Sequence, residues 1–172
     1  MAFLDLNNAA VEMTVAPIDG WFARLRELSV FRGRLPRHVR LVVCERPADG
    51  TRLGECVARG KHGEITVFTY AGLTQASILV TLLHELAHLS GCWHHDRAFR
   101  LRLLGAAEEA FGASFPAAVR RQLLTSRGHQ QLDRALLLLA SRSLWREGTA
   151  PDPLDLLVGG WALFRLFPWR KP

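Results

Sequence analysis

The chain has 172 residues, 49% of them hydrophobic, which is enough to build one globular domain around its own core. Its 22 basic residues outnumber 16 acidic ones, giving a net charge of +6 and a pI near 10.2. Such a charge favours binding to nucleic acid or other polyanions, although an arginine-rich proteome explains it equally well. Three cysteines without a CxxC pair argue against a disulfide framework or a cysteine zinc ribbon, and favour a reducing cytoplasm.

No segment of the sequence has the pattern of a targeting signal or a membrane span. Residues 1–16 lack the basic start and continuous apolar run of a secretory signal. The apolar stretch from Leu154 to Phe167 is interrupted by Asp155 and Arg165 and is too short to cross a bilayer. We therefore expect a soluble, cytoplasmic protein.

The first half of the chain reads as a helix followed by strands. Asp19 is predicted to cap a helix whose apolar residues, starting with Trp21 and Phe22, recur at helical spacing. Three β-like runs separated by turn residues follow, at Val39–Cys44, Leu53–Arg59 and Glu64–Tyr70. They predict a short antiparallel sheet.

Helices account for the rest. Thr74 opens a helix over Gln75–Leu89 that is apolar on nearly all sides, which indicates burial. Asp96 is predicted to cap the next helix, which runs to about Phe111 and stops at Gly112. Two further helices are expected over 116–126 and 130–145, before a last apolar segment with several aromatic residues, for which core packing is the favoured role.

The buried helix carries the pattern HExxH. His84 and His88 are four residues apart, so both imidazoles project from one helix face and can bind one cation. Glu85 projects to the side, where its carboxylate can act as a general base on a metal-bound water. Three ionisable groups inside an apolar helix would be costly to bury without a partner, and a zinc ion explains all three together.

Two adjacent histidines compete for the third ligand position. His94 with Gly91 completes the pattern HExxHxxGxxH of metzincins, but that class also needs a methionine after the helix, and both methionines of this chain precede it. His95 precedes the predicted third helix, and Phe99 one turn later can anchor it in the core. We favour His95, while spacing alone leaves both open.

From Leu53 to about Phe111, the sequence resembles the SprT-like or Spartan-type zinc metallopeptidases. The resemblance rests on four segments: Gly54-Glu55-Cys56, Glu64-Ile65-Thr66-Val67, Leu82-Leu83-His84-Glu85-Leu86-Ala87-His88 and His95-Asp96-Arg97-Ala98-Phe99. It implies one Zn²⁺ on His84, His88 and His95, with Glu85 as the catalytic acid and base. It also implies protein substrates, which in some members are attached to DNA. By analogy, the strand Glu64–Tyr70 would pair with an extended substrate.

These observations predict an α+β protein with a zincin-like domain, in which a short antiparallel sheet packs on the HExxH helix. Residues 1–172 would form a single domain, with a catalytic core over 18–112 and a helical extension over 113–172. Many relatives carry a four-cysteine zinc ribbon in place of this extension, so recruitment of substrates is expected to differ. The arginines between 24 and 40 are candidates for nucleic-acid contact or for a solvated helix face. A zinc-stabilised adaptor and a zinc hydrolase of another substrate class are the alternative functions.

Overall fold

The computed structural model describes residues 18–45, 52–70, 72–125, 128, 131–148 and 152–166. Helix α1 covers 18–26 and is followed by a short 3₁₀ turn at Ser29–Phe31. The remaining elements, in chain order, are β1 (His38–Glu45), β2 (Gly54–Arg59), β3 (His62–Thr69), α2 (Gln75–Leu89), α3 (Arg97–Phe111), α4 (Ala117–Leu123), α5 (Leu132–Arg146) and α6 (Pro153–Leu166). The class is therefore α+β, as predicted.

The sheet has three strands among the described residues, and its pairing differs from the prediction. β2 and β3 form the expected antiparallel hairpin, in which Arg59 pairs with His62. β1, however, lies parallel to β3, so the sheet is mixed and its order is β1-β3-β2. β3 lies in the middle of the sheet and is its most buried strand, with Ile65 and Val67 fully buried. A central strand suits such apolar residues, because its neighbours shield it from solvent on both sides.

The strand order also overturns the expectation that Glu64–Tyr70 presents a free edge. β3 is hydrogen-bonded on both sides, so its backbone groups are already paired. Within the described part of the chain, the outer edge of β2 has no partner strand, and β2 packs on α2. The edge beside the HExxH helix is therefore that of Gly54–Arg59.

Helix α2 has the bounds that its sequence predicts. The hydroxyl of Thr74 accepts a hydrogen bond from the backbone N–H of Ser77 at 3.1 Å, which caps the first turn. Nearly every side of the helix is buried, because the sheet, α3 and α5 all pack against it. This helix is the centre of the core and fixes the position of everything it carries.

Helix α3 begins and ends as predicted. The carboxylate of Asp96 accepts from the N–H of Phe99 at 2.9 Å, and Gly112 ends the helix with a φ of +57°. At α1 the prediction was wrong in detail: Ile18 is already helical, so Asp19 lies inside the first turn and does not cap it. Trp21 is nevertheless buried, as the helical spacing predicts.

The C-terminal helices pack on the core and expose part of α6. α5 lies against α2, α3 and α6, so the helical extension covers the metal-motif helix. On α6 the inward face is small, with Gly159 close to Leu138 and Ala162 fully buried, whereas Trp161 is 49% exposed. Trp161 belongs to the last apolar segment, for which core packing was expected, and its exposure shows that this expectation is wrong for Trp161. Phe167 and Trp169 of the same segment lie outside the described residues. No helix in the described ranges is long and apolar enough to cross a membrane.

Candidate metal centre

Three imidazoles converge at one point beside α2. The Nε2 atoms of His84 and His88 are 3.1 Å apart, and the Nε2 of His95 lies 2.9 Å from the first and 3.0 Å from the second. These three histidines form the one group suited to a metal ion among the described residues. His94 is exposed and is not part of the group, so geometry favours His95 as the third ligand.

The loop between α2 and α3 brings His95 to the other two. Gly91 has a φ of +99°, which lets the chain reverse directly after α2, and the Asp96 cap then sets the start of α3. Phe99, predicted to anchor His95, is 2% exposed. The centroid of its ring lies 4.4 to 4.9 Å from the centroids of all three imidazoles, so it forms the floor beneath them.

The outward nitrogens of two ligands are held by acceptors. His88 Nδ1 donates to the backbone carbonyl of Cys92 at 2.7 Å, and His84 Nδ1 lies 3.1 Å from the carboxylate of Asp133. Because a carbonyl and a carboxylate only accept, each neutral ring carries its proton on Nδ1 and has a free lone pair on Nε2.

The residues present fit a zinc ion. Lone pairs pointing at each other from about 3 Å repel, unless a cation lies between them. Tetrahedral zinc with Zn–N bonds of about 2.0–2.1 Å separates its nitrogen ligands by about 3.3 Å, close to the spacing here. The donor set is three imidazoles, which suits zinc and other transition metals and not magnesium or calcium.

The pKa values of the histidines reflect these contacts. Burial lowers the pKa of His84, but the hydrogen bond and charge of Asp133 outweigh it, so the pKa lies above its ordinary value. Burial lowers the pKa of His88, and this effect prevails over its hydrogen bond to the carbonyl of Cys92. Both shifts describe the protein without metal.

Glu85 lies next to the histidine cluster and is 7% exposed. Burial is the main cause that raises the pKa of its carboxyl group, while neighbouring His84 lowers it to a smaller extent. The thiol of Cys56 on β2 donates a hydrogen bond to this carboxylate. Burial, followed by the charge of Glu85, raises the pKa of Cys56 to about 12, so the thiol stays protonated as a donor.

The cluster opens onto a cleft of about 780 Å³. β2 forms one wall, α2 the floor and α5 the opposite wall, where Asp133, Arg134 and Leu137 face the cleft. Trp93, which is 51% exposed, stands at the rim beside the histidines. The histidines and Glu85 thus share a cavity large enough for an extended ligand.

Two contacts of the site could not be read from the sequence. Asp133 follows His84 by 49 residues, and no local sequence pattern links the two. Cys56 belongs to strand β2, which precedes the helix of the motif. Cys92 is a small buried thiol, and its backbone carbonyl is the group that accepts from His88.

The molecule is thus an α+β protein with a three-histidine cluster and a buried carboxylate in an open cleft. No protein-family model, curated protein or solved structure matches the chain. The resemblance to SprT-like metallopeptidases therefore stands as a prediction from the motifs alone.

Proposed function

We propose that this protein is a zinc-dependent metallopeptidase of the SprT-like zincin type. The observation that carries the proposal is the convergence of three Nε2 atoms within 3.1 Å, beside a buried glutamate, on a cleft. His84, His88 and His95 would hold the ion. When bound, zinc lowers the pKa of water and polarises a carbonyl group, which is the chemistry that peptide hydrolysis needs.

Glu85 is the general base of the proposed reaction. One of its carboxylate oxygens takes a proton from the attacking water, and the same group then delivers this proton to the nitrogen of the leaving amine. The raised pKa of Glu85 suits it to this role, because a carboxylate that titrates closer to neutrality is a stronger base. The Cys56 thiol and the close approach of Gly54 hold the side chain at the cleft.

The edge of β2 is the proposed binding surface for the peptide. An extended peptide in the cleft would add a strand to this edge, because backbone N–H and C=O groups there face no partner strand within the described residues. Residues from Arg52 to Val57 line the cleft along this edge. An unfolded segment fits such a surface better than a folded domain does, because only an extended backbone can pair with it.

Proteins bound to nucleic acid are the proposed class of substrate, on the strength of a second cavity. We name it the basic cavity; it measures about 700 Å³, and its ionisable lining residues are Arg26, Arg37, His38, Arg40, Arg59, His62 and Glu64. Glu64 is the single acid among them and pairs with Arg40 at 2.8 Å. The imidazoles of His38 and His62 stack with their ring centroids 5.1 Å apart. The excess of positive charge suits phosphate groups.

The two cavities meet at β2. Val57 lines both of them, so a polyanion in the basic cavity would lie next to a peptide in the cleft. The cross-strand pairs place Arg59 beside His62, which in turn lies beside His38, on the face of the sheet away from α2. This arrangement would let the molecule bind a nucleic-acid strand and a protein attached to that strand at the same time.

Zinc content and proteolysis test the function together. The purified protein is expected to contain one zinc ion per chain and to cleave an unfolded protein. Glu85→Gln should keep the zinc and lose cleavage, because the amide cannot accept the proton. Glu147→Gln, an exposed glutamate outside the cleft, is the matched control and should cleave normally. Zinc in both proteins without cleavage by the wild type would favour a binding module or another hydrolase, and absence of zinc would refute the proposal.

A salt series with a single-stranded oligonucleotide tests the nucleic-acid part. Replacing Arg37, Arg40 and Arg59 with alanine should reduce the slope of log affinity against log salt by about 2, at about 0.7 per lost contact. A charge-matched control replaces three exposed arginines outside the basic cavity, Arg121, Arg142 and Arg146. Equal slopes in the two triple variants would show that the basic cavity is not where the strand binds.

A further inference from the structure

We infer that Asp133 is a positioning residue of the metal centre, which holds His84 in the tautomer and orientation that present its Nε2 to the ion. The inference rests on the proposed metal site. It gives α5, in the part of the chain beyond the predicted catalytic core, a direct share in that site.

The contact is close and symmetrical. Both carboxylate oxygens of Asp133 lie 3.1 Å from Nδ1 of His84. The side chain of His84 is 19% exposed, whereas that of Asp133 is 50% exposed, so the carboxylate approaches the ligand from the solvent side of the cleft. The carboxylate of Asp133 lies in the first turn of α5, where an acid is favourable for the helix, and from there it reaches the imidazole of His84.

Helix α5 determines where this carboxylate stands. Ala135, Leu136 and Leu139 are buried, and α5 packs against both α2 and α3. The position of Asp133 is therefore set by the core and not by the local chain around His84. The imidazole of His84 on α2 is thus oriented by a residue of α5, so the geometry of the histidine cluster depends on how α2 and α5 pack together.

The chemistry of the pair explains why the contact matters. A neutral imidazole has one N–H, and a carboxylate accepts but does not donate, so the proton is held on Nδ1 and the lone pair on Nε2. Carboxylate partners of this kind also raise the basicity of the ligand, and their loss typically weakens metal binding by about 10–100-fold. His88 has a backbone carbonyl in the same role, so of these two partners only that of His84 can be removed by substitution.

Zinc affinity measured by competition with a chelator tests the inference. Asp133→Ala is expected to weaken zinc binding by about 10–100-fold. Asp133→Asn should weaken it less, because the amide oxygen still accepts from Nδ1 but carries no charge. Arg134→Gln is the matched control: it follows Asp133 on α5 and lines the cleft, but it is not among the partners found for His84 and His88, so its zinc affinity should equal that of the wild type.

The imidazole ¹⁵N shifts of the zinc-free protein provide a readout that does not need the metal. In the wild type, His84 should be in the Nδ1–H form, and in Asp133→Ala it should become a mixture of the two tautomers. Unchanged zinc affinity and an unchanged tautomer in this variant would overturn the inference. If the wild type binds no zinc, the proposed function fails, while the tautomer still decides whether Asp133 orients His84. Should the alanine variant not fold, Asp133→Asn supplies both measurements.

Discussion

Gly54 is the first residue of β2 and packs directly against the side chains of Thr81 and Glu85, the proposed general base. A β-carbon built on this residue would lie 2.7 Å from Cγ2 of Thr81 and 3.0 Å from Cγ of Glu85. Ordinary contacts begin at 3.4 Å, so Gly54→Ala requires Thr81 to give way by about 0.7 Å and Glu85 by about 0.4 Å. Thr81 cannot rotate freely, because its hydroxyl donates to the carbonyl of Ser77 at 2.8 Å. We therefore expect Glu85 to move.

The expected effect has two parts. Overpacking of this kind costs about 1–3 kcal/mol of stability. A displacement of the Glu85 carboxylate by about 0.4 Å should lower kcat by up to about 10-fold, since a misplacement of about 1 Å costs about 100-fold. Zinc affinity should stay close to that of the wild type, because the substituted atom meets none of the ligand histidines within 4 Å among its nearest contacts.

Urea unfolding, chelator competition and steady-state kinetics on one unfolded substrate measure these effects separately. Gly105→Ala is the matched control, since a β-carbon there meets nothing within 4 Å and the residue lies inside α3. This control should gain about 0.5–1 kcal/mol and keep its activity. Wild-type kcat and stability in Gly54→Ala would refute the argument that β2 holds Glu85 by close packing.

Three further predictions follow from the same structure. His95→Ala should lose stoichiometric zinc, whereas His94→Ala should keep it. Chelator competition on the two variants measures this, and equal loss of zinc in both would contradict His95 as the third ligand. Burial raises the pKa of the Asp155 carboxyl group, so the folded protein loses stability as pH rises through that pKa. Asp155→Asn should therefore be more stable than the wild type at about pH 7, and the difference should vanish near about pH 3. Urea unfolding of both proteins at the two pH values measures this difference. The Cys56 thiol, with its pKa of about 12, should react with iodoacetamide on the order of a thousandfold more slowly than free cysteine in the zinc-free protein at about pH 8. Mass spectrometry measures the rate of alkylation, and a rate near that of free cysteine would contradict this prediction.

The parts of the site that depend on local spacing were predictable. His84 and His88 lie on one helix face because they are one turn apart, and the helix forms because its apolar residues can be buried on all sides. The caps Thr74 and Asp96 act within three residues of themselves. His95 could be favoured for the same reason, since Phe99 follows it by one turn.

The sheet shows where local reasoning fails. Turn residues predict that successive strands reverse direction, and the hairpin from β2 to β3 does so. They contain no information on which strand lies in the middle. That order follows burial: β3, the most buried strand, lies in the middle, and β2 lies at the edge beside α2 without a further partner strand among the described residues.

The sequence by itself determined the α+β fold class and the helix with its three ionisable residues, because helical periodicity and capping act over a few residues. Only the tertiary structure decided that β2 lines the cleft, that Cys56 contacts Glu85 and that Asp133 contacts His84. These contacts join segments far apart in the chain, and 49 residues separate Asp133 from its histidine. Their positions follow from how helices and strands pack together, which no spacing within a single segment encodes.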